Sequence, residues 1–198
     1  MALSLRERRR LETARDIQSA TFRLARDRGF ENVTTEAIAD AAGISVRTFF
    51  NYYANKEAAA LGIPPQFTEA AKDALVNGKD ALATDLRRFL RAHLDRISAD
   101  DHIVRELRVI LRDSGKVRWM LDEHLSGLRS DLAACLVQRL PDGNARLAAV
   151  LADWGINIGN RTFESWLAGD PGVSIAATLD GLWADNVAVA GILTECTG

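Results

Sequence analysis

The chain of 198 residues lacks the sequence features of disulfide-rich, strand-rich and membrane-spanning proteins. Its two cysteines, Cys135 and Cys196, lie far apart and have no partners at metal-ligand spacing, so we expect reduced thiols in a cytoplasmic protein. Only four prolines are present, and β-branched residues rarely alternate with polar ones. No run of 18 apolar residues occurs, so no transmembrane helix is expected. These absences favour an all-α protein.

The N-terminus also lacks the apolar segment of a secretory signal, because the first ten residues run directly into charge. Arg6, Arg8, Arg9 and Arg10 form either a basic arm that touches phosphates or an ordinary solvated helix start. Net charge is −2 overall, but residues 1–57 hold ten Lys/Arg against eight Asp/Glu, a balance of +2. This small excess predicts few phosphate contacts per subunit and hence a dependence on dimerisation and on base readout.

Motifs for catalysis are absent. The three histidines form neither an HExxH motif nor a Cys-His metal spacing. No nucleophile elbow, Walker loop or dinucleotide-binding glycine pattern occurs. We therefore expect no catalytic residues, no metal, no cofactor and no enzyme activity.

Apolar periodicity and turn residues predict nine or ten helices. The first is expected over Leu5–Arg28, ending at Gly29. Shorter helices are expected at 35–42 and 46–52, and a fourth begins at Lys56 and is broken by Pro64 and Pro65. The remaining predicted helices lie near residues 66–76, 80–98, 101–112, 116–139, 144–168 and 173–194.

The segment 33–57 is the most informative part of the sequence. Gly43 permits a sharp turn between two short helices, of which the second is capped by Ser45 and the first by either Thr34 or Thr35. The second helix carries aromatic, amide and guanidinium groups on the side away from Phe49, and a partner would explain such a surface. The pattern favours a DNA-binding helix-turn-helix, with a plain helical hairpin as the alternative.

At these positions the chain resembles the TetR family of bacterial transcriptional regulators. The resemblance rests on Gly29-Phe30, Thr34-Thr35, Ile38-Ala39, Ala42-Gly43-Ile44-Ser45, Thr48-Phe49, Tyr52-Tyr53 and Lys56-Glu57. It implies a three-helix DNA-binding domain at residues 1–57 and a helical ligand-binding and dimerisation domain at residues 58–198. The sequence Arg47-Thr48-Phe49-Phe50 is similar to a subset described as binding acyl-CoA-like ligands.

The expected DNA contacts follow from side-chain chemistry and from this resemblance. Arg47 is predicted to read guanine and Asn51 adenine, while Val46 and Phe50 contact thymine methyl groups. Glu36 either accepts from cytosine or pairs with Arg47. The family's phosphate-contacting positions correspond to Thr34, Thr35, Ser45, Thr48, Tyr52 and Lys56. Phe50 replaces the family's usual tyrosine, and Tyr53 replaces phenylalanine and is expected to turn its hydroxyl outward.

The rest of the chain is expected to bind a small-molecule effector and a second copy of itself. The helices near 144–168 and 173–194 are the predicted homodimer interface. The predicted ligand-site residues are Phe89, His93, Leu107, Leu111, Trp119, Met120, His124, Trp154 and Arg161. We expect a repressor that a hydrophobic ligand releases from an inverted-repeat operator in double-stranded DNA. The alternative is a helical small-molecule- or protein-binding module without DNA function.

Overall fold

The computed structural model describes residues 4–170 and 172–195, which form ten α-helices, one short 3-10 helix and no strand. The helices are α1 Leu5–Arg28, α2 Thr35–Ala41, α3 Val46–Phe50, α4 Lys56–Leu61, α5 Glu69–Val76, α6 Leu82–Ser98, α7 Asp101–Asp113, α8 Gly115–Arg139, α9 Ala145–Ala168 and α10 Ile175–Glu195, with the 3-10 helix at Phe30–Asn32. The predicted all-α class is confirmed. Within the described ranges, no helix combines the length and the apolarity that crossing a membrane requires. Cys135 is a buried free thiol, and Cys196 lies outside the described residues.

Capping side chains explain why most helices begin where the sequence predicted. Ser4 and Glu7 form a reciprocal capping box at the start of α1. Thr34, rather than Thr35, caps α2, since its hydroxyl accepts from the Ala37 amide at 3.2 Å. Asn55 caps α4 in the same way, with 2.8 Å between its Oδ1 and the Ala58 amide.

The end of α3 differs from the prediction. The helix stops at Phe50 instead of Tyr52, because the Asn51 amide bonds to the Thr48 carbonyl at 3.1 Å and tightens the last turn. Asn51 and Tyr52 therefore lie in the turn that follows the helix. The error of two residues falls on a frayed terminus, where a sequence pattern gives little guidance.

The described chain divides into two compact units. The first comprises the residues up to Pro64 together with Asp100–His124, and the second comprises Pro65–Ala99 with the residues from Leu125 onward. These units are not the domains 1–57 and 58–198 expected from the sequence, and that functional boundary stays a prediction. In the first unit, Ile17, Ile38 and Phe49 are fully buried in the core formed by α1, α2 and α3.

A second core in the first unit joins α4 to α7 and α8. Phe22, Phe30 and Leu61 are buried in one cluster with Ile110 and Val117. Two ion pairs lie beside it, from Arg26 to Glu106 at 3.3 Å and from Lys116 to Glu57 at 3.2 Å. Residues 100–124 thus share a folding unit with the helix-turn-helix.

The predicted break after α4 is confirmed. The helix ends at Leu61, Gly62 adopts a φ of +71°, and no helix occurs until Glu69. The buried amide of Gln18 donates to the carbonyl of Ala60 at 3.0 Å and so satisfies an acceptor at this helix end.

The second unit is a bundle of α5, α6, α9, α10 and the later part of α8. Its core includes Leu86, Leu132, Leu136 and Leu179, and α10 packs along both α9 and α6. The indole of Trp154 on α9 donates to the Asn186 side chain on α10 at 3.1 Å. It also meets the Trp183 ring edge-on, with 4.9 Å between the ring centroids.

A buried carboxylate ties three elements of this unit together. Asp85 near the start of α6 is almost fully buried and pairs with Arg88 at 3.0 Å and with Arg139 of α8 at 3.3 Å. The Arg139 guanidinium also donates to the Asp80 carbonyl at 2.8 Å. Gly78 lies so close to this carboxylate that a Cβ atom there would overlap Asp85.

We expect Gly78→Ala to lower the free energy of unfolding by about 1–3 kcal/mol, because the added methyl must displace a buried, ion-paired carboxylate. Gly127→Ala is the matched control, since Gly127 lies within α8 and a Cβ there meets no atom within 4 Å. It should raise helix stability by up to about 1 kcal/mol. Urea denaturation measures both, and equal stability of the two variants would contradict this account.

Candidate nucleic-acid interface

The turn between α2 and α3 has the hydrogen bonds of a glycine-terminated helix. The Ile44 amide bonds to the Ala39 carbonyl at 2.9 Å and the Gly43 amide to the Asp40 carbonyl at 3.0 Å. This is the Schellman pattern, and it requires the left-handed φ of +68° that Gly43 adopts. The turn therefore sets the angle between α2 and α3.

Hydroxyl groups organise the start of α3. Ser45 Oγ accepts from the Thr48 amide at 3.0 Å and shares a further hydrogen bond of 2.8 Å with Thr48 Oγ1. Two hydroxyls that share one hydrogen bond leave one O–H group available as a donor. Both residues are thus placed as the phosphate contacts predicted for them require, a role that stays a prediction.

One side of α3 is anchored in the core. Phe49 is fully buried and Tyr53 nearly so, with 6.3 Å between their ring centroids. The Tyr53 hydroxyl donates to the Ala14 carbonyl on α1 at 3.2 Å. The expectation that this hydroxyl points outward is wrong, because the core offers it an acceptor. Burial raises the pKa of Tyr53 to about 12.

The opposite side of α3 is available to a partner. Arg47 and Asn51 are exposed, and Phe50 is 52% exposed although its ring meets Phe49 edge-on. Val46 is half-buried against the core, which limits its reach as a base contact. An arginine, an amide and an aromatic ring thus share the exposed face of a rigidly held helix. These are groups that read base edges in a major groove.

Glu36 is exposed in the first turn of α2 and keeps its negative charge. Its pKa lies below the usual value because its own backbone amide and then the Thr34 hydroxyl bond to the carboxylate. Thr35 Oγ1 also donates to it at 3.3 Å. Within residues 4–170 and 172–195, no ion pair joins Glu36 to Arg47, so one of its two predicted roles is not seen. The contact with cytosine stays a prediction.

Lys56 holds the 3-10 helix in place. Its ammonium donates to the carbonyls of Phe30 at 3.0 Å and Glu31 at 2.9 Å, and it lies 5.0 Å from the centroid of the Phe30 ring. An ammonium group has three donors, so one remains for the predicted phosphate contact. The sequence gave no signal of this clamp, since it joins residues 25 positions apart.

The arginines near the N-terminus lie in the first turns of α1. Arg6, Arg8, Arg9 and Arg10 are all exposed. Exposure is compatible with both interpretations of this cluster, the phosphate-contacting arm and the solvated helix start.

The predicted ligand-site residues are distributed over both units. In the second unit Phe89 is buried beside Phe67, with 4.5 Å between ring centroids, and His93 packs on the same Phe67 ring at 4.6 Å. Trp154 of this unit is half-buried against α10, and Arg161 is exposed. Phe67 was missed because it follows two prolines outside any predicted apolar face.

The other members of the predicted ligand site belong to the first unit. Leu107, Leu111 and Met120 pack against the core that contains Phe30, and His124 is half-buried. Trp119 is 61% exposed, so it does not line an enclosed cavity within this unit. Periodicity alone could not separate these residues from those of the second unit.

Two capped helices at a fixed angle, with a polar and aromatic face on the second, define a helix-turn-helix DNA-binding protein. Residues 17–60 match the family model described as bacterial regulatory proteins of the tetR family. The chain belongs to the TetR family of transcriptional regulators.

Solved structures of similar fold extend over most of the chain. The fatty acid degradation regulator FadR from Bacillus halodurans is 18% identical, with a TM-score of 0.55, covering 87% of this chain and 93% of that one. FadR from Bacillus subtilis, solved with stearoyl-CoA, is 18% identical with a TM-score of 0.54 and coverages of 85% and 95%. FadR from Thermus thermophilus, solved with lauroyl-CoA, is 24% identical with a TM-score of 0.50 and coverages of 85% and 90%. At these identities the likeness shows a shared fold. No curated protein sequence gave a match.

Tyr53→Phe should destabilise the protein by about 0.5–1.5 kcal/mol at neutral pH, because it removes the hydrogen bond to Ala14. The raised pKa adds a dependence on pH: its contribution is complete below about pH 10 and is lost as pH rises through about 12, where only the unfolded state ionises readily. The variant should therefore lose less stability over this interval than the wild type.

Tyr52→Phe is the control, since Tyr52 is the other of the two tyrosines and is half-exposed. It should leave the stability near the wild-type value. Denaturant titrations at neutral pH and across the alkaline range measure the effect. The account fails if Tyr53→Phe reproduces the wild-type stability throughout.

Proposed function

We propose that this regulator is a repressor that binds an inverted-repeat operator as a homodimer and leaves it when a hydrophobic acyl ligand binds. The observation that carries the proposal is the exposed face of α3, where Arg47, Phe50 and Asn51 point away from a buried anchor. A regulator of chromosomal DNA acts where the DNA lies, so the proposed location is the cytoplasm.

The geometry of α3 favours recognition by a few strong contacts. Arg47 is free of any ion pair to Glu36 among the described residues, and its guanidinium can bond both acceptors of a guanine. Such a contact contributes about 1–3 kcal/mol of discrimination between bases. A five-residue helix reads few base pairs, so useful specificity requires two copies, and two-fold symmetry then requires an inverted repeat.

The apolar C-terminal half of α10 supports dimerisation. From Val187 to Leu193 the sequence VAVAGIL contains no polar side chain, and all seven residues are exposed. Val187, Val189, Ile192 and Leu193 are each more than half exposed. Burying apolar surface stabilises an association by about 25 cal/mol per Å² before the costs of binding are counted. A contiguous surface of this kind marks an interface, and a second copy of the chain supplies a matching one.

Residues of α9 extend this surface. Leu147 and Val150 are exposed near its start, and α9 is the helix against which α10 packs. The proposed interface thus uses the helices near 144–168 and 173–194, as expected from the sequence.

Ile192→Asp should convert the dimer to a monomer, because the 62% exposed Ile192 would place a charge within the proposed interface. Val109→Asp is the matched control, since Val109 is a similarly exposed apolar residue on α7, at 54%. Analytical ultracentrifugation at micromolar concentration separates the outcomes. A wild-type monomer, or a dimer in the Ile192 variant, would refute the interface.

The ligand proposal rests on the relatives of similar fold. Two of them were solved with long-chain acyl-CoA molecules, and the second unit here has an aromatic, apolar interior around Phe67 and Phe89. A ligand lowers DNA affinity only to the extent that it prefers the conformation that does not bind DNA. We propose an acyl-CoA as this ligand, with repression relieved when it binds.

The proposal predicts that the protein enriches an inverted repeat from random DNA. Arg47→Ala should relax the preference at one base pair in each half-site while other positions keep theirs, since a base contact is lost. Sequencing of the selected DNA measures the preference at each position. Long-chain acyl-CoA should then release the protein from the selected repeat in a gel shift, whereas free coenzyme A should not.

Arg112→Ala on α7 is the control for loss of a positive charge, and it should preserve the selected motif. If Arg47→Ala weakens binding to all sequences equally, Arg47 contacts phosphate. If the wild type enriches no sequence at any salt concentration, the helical binding module without DNA function becomes the better interpretation.

A further inference from the structure

One basic surface has no part in DNA binding or in the proposed dimer. Thr84, Arg87, Arg88 and Arg91 on α6 line a crevice of about 120 Å³ in the second unit. They are spaced by three, one and three residues, so they lie on one face of the helix. Three guanidinium groups and a hydroxyl thus surround a single small space.

Exposed aspartates contact these arginines only partly. Asp180 of α10 serves two of them at once, with 3.8 Å to Arg87 and 3.4 Å to Arg91. Arg88 pairs at 3.0 Å with the exposed Asp80 and at 3.0 Å with the buried Asp85. Because a guanidinium has five N–H donors, these contacts leave most donors in the crevice to solvent or a ligand.

The charge balance at the crevice is unequal. Arg87 and Arg91 share the single carboxylate of Asp180, so one positive charge there has no counterpart. The side chains of Arg87, Arg91 and Asp180 are each almost half exposed, and ion pairs at such positions contribute about 0–1 kcal/mol. An anion with more acceptor oxygens than one carboxylate can therefore displace Asp180 at little cost.

We propose that this crevice binds the phosphate group of a small-molecule ligand. A phosphate offers several acceptor oxygens to the fork of donors on each arginine, and Thr84 adds a hydroxyl donor. The volume is far below the 300 Å³ or more typical of whole drug-sized ligands, which matches a single phosphate group with the remainder of the molecule outside. The site involves no residue of the DNA-binding surface, so it stands or falls independently of the repressor proposal.

Isothermal titration of the full-length chain at low, fixed ionic strength tests the site. The probes are inorganic phosphate, ADP and coenzyme A. Arg87→Gln/Arg91→Gln should weaken the affinity about tenfold or more, since it removes two of the three guanidinium groups. Asp180→Asn should tighten it about threefold or more, because the carboxylate that competes with the phosphate is gone. Arg112→Gln removes an exposed arginine elsewhere and should match the wild type.

The Asp180 variant separates a binding site from a purely structural ion-pair cluster, which predicts no gain in affinity. It also retains all three arginines, so a folding defect in the double variant does not decide the result. Tighter binding of ADP or coenzyme A than of inorganic phosphate would identify a larger phosphorylated ligand, and equal affinities would identify the free anion. No binding of any probe to the wild type, or equal binding by wild type, the double variant and the Asp180 variant, would overturn the proposal.

Discussion

The burial of Phe49 is the interaction on which the DNA-binding surface depends. Its helix, α3, has only five residues and is far too short to persist in water on its own. Tertiary contacts must therefore hold it, and they do so from one side, through the fully buried Phe49 ring and the Tyr53 hydroxyl on Ala14. The same anchoring leaves Arg47, Phe50 and Asn51 on the free side at fixed positions. Rigid placement lowers the entropy that a reading side chain loses on binding.

The contacts of residues 100–124 with the helix-turn-helix give α4 a central position in the first unit. One side of α4 faces α1, where Gln18 bonds the Ala60 carbonyl. Leu61 packs with Ile110 and Val117, and Glu57 pairs with Lys116. A displacement of α7 would therefore reach the helix that follows the DNA-reading segment. The proline break after Leu61 does not interrupt these contacts, because they act on α4 before the break.

Local signals carried most of what the sequence predicted. Helix ends followed from short-range chemistry, such as the Ser45 and Asn55 caps and the Gly43 turn. The failures came from contacts between distant residues. Tyr53 finds its acceptor 39 positions away on α1, and Lys56 clamps the 3-10 helix. No periodicity encodes such partners, so a pattern that correctly marks a residue as aromatic cannot say where its hydroxyl bonds.

The candidate ligand site shows the same limit on a larger scale. Leu107 and Phe89 both occupy apolar positions of amphipathic helices, and the sequence grouped them together. The structure assigns them to different cores because α7 packs on α1 and α4, whereas α6 packs on α5, α9 and α10. An apolar stripe states that a helix face is covered but not by what.

The two ends of α10 illustrate how a surface can indicate its missing partner. Near its start, Leu179 and Trp183 are buried against the bundle, and Asp180 has partners on α6. From Val187 onward the residues stay apolar although the bundle no longer covers them. A solvated helix end would gain solubility from charge on every exposed position, as the start of α1 does with its arginines. The persistence of valine, isoleucine and leucine around the whole circumference is explained if this half of α10 is covered in the assembled protein, and a two-fold partner covers it with an identical helix.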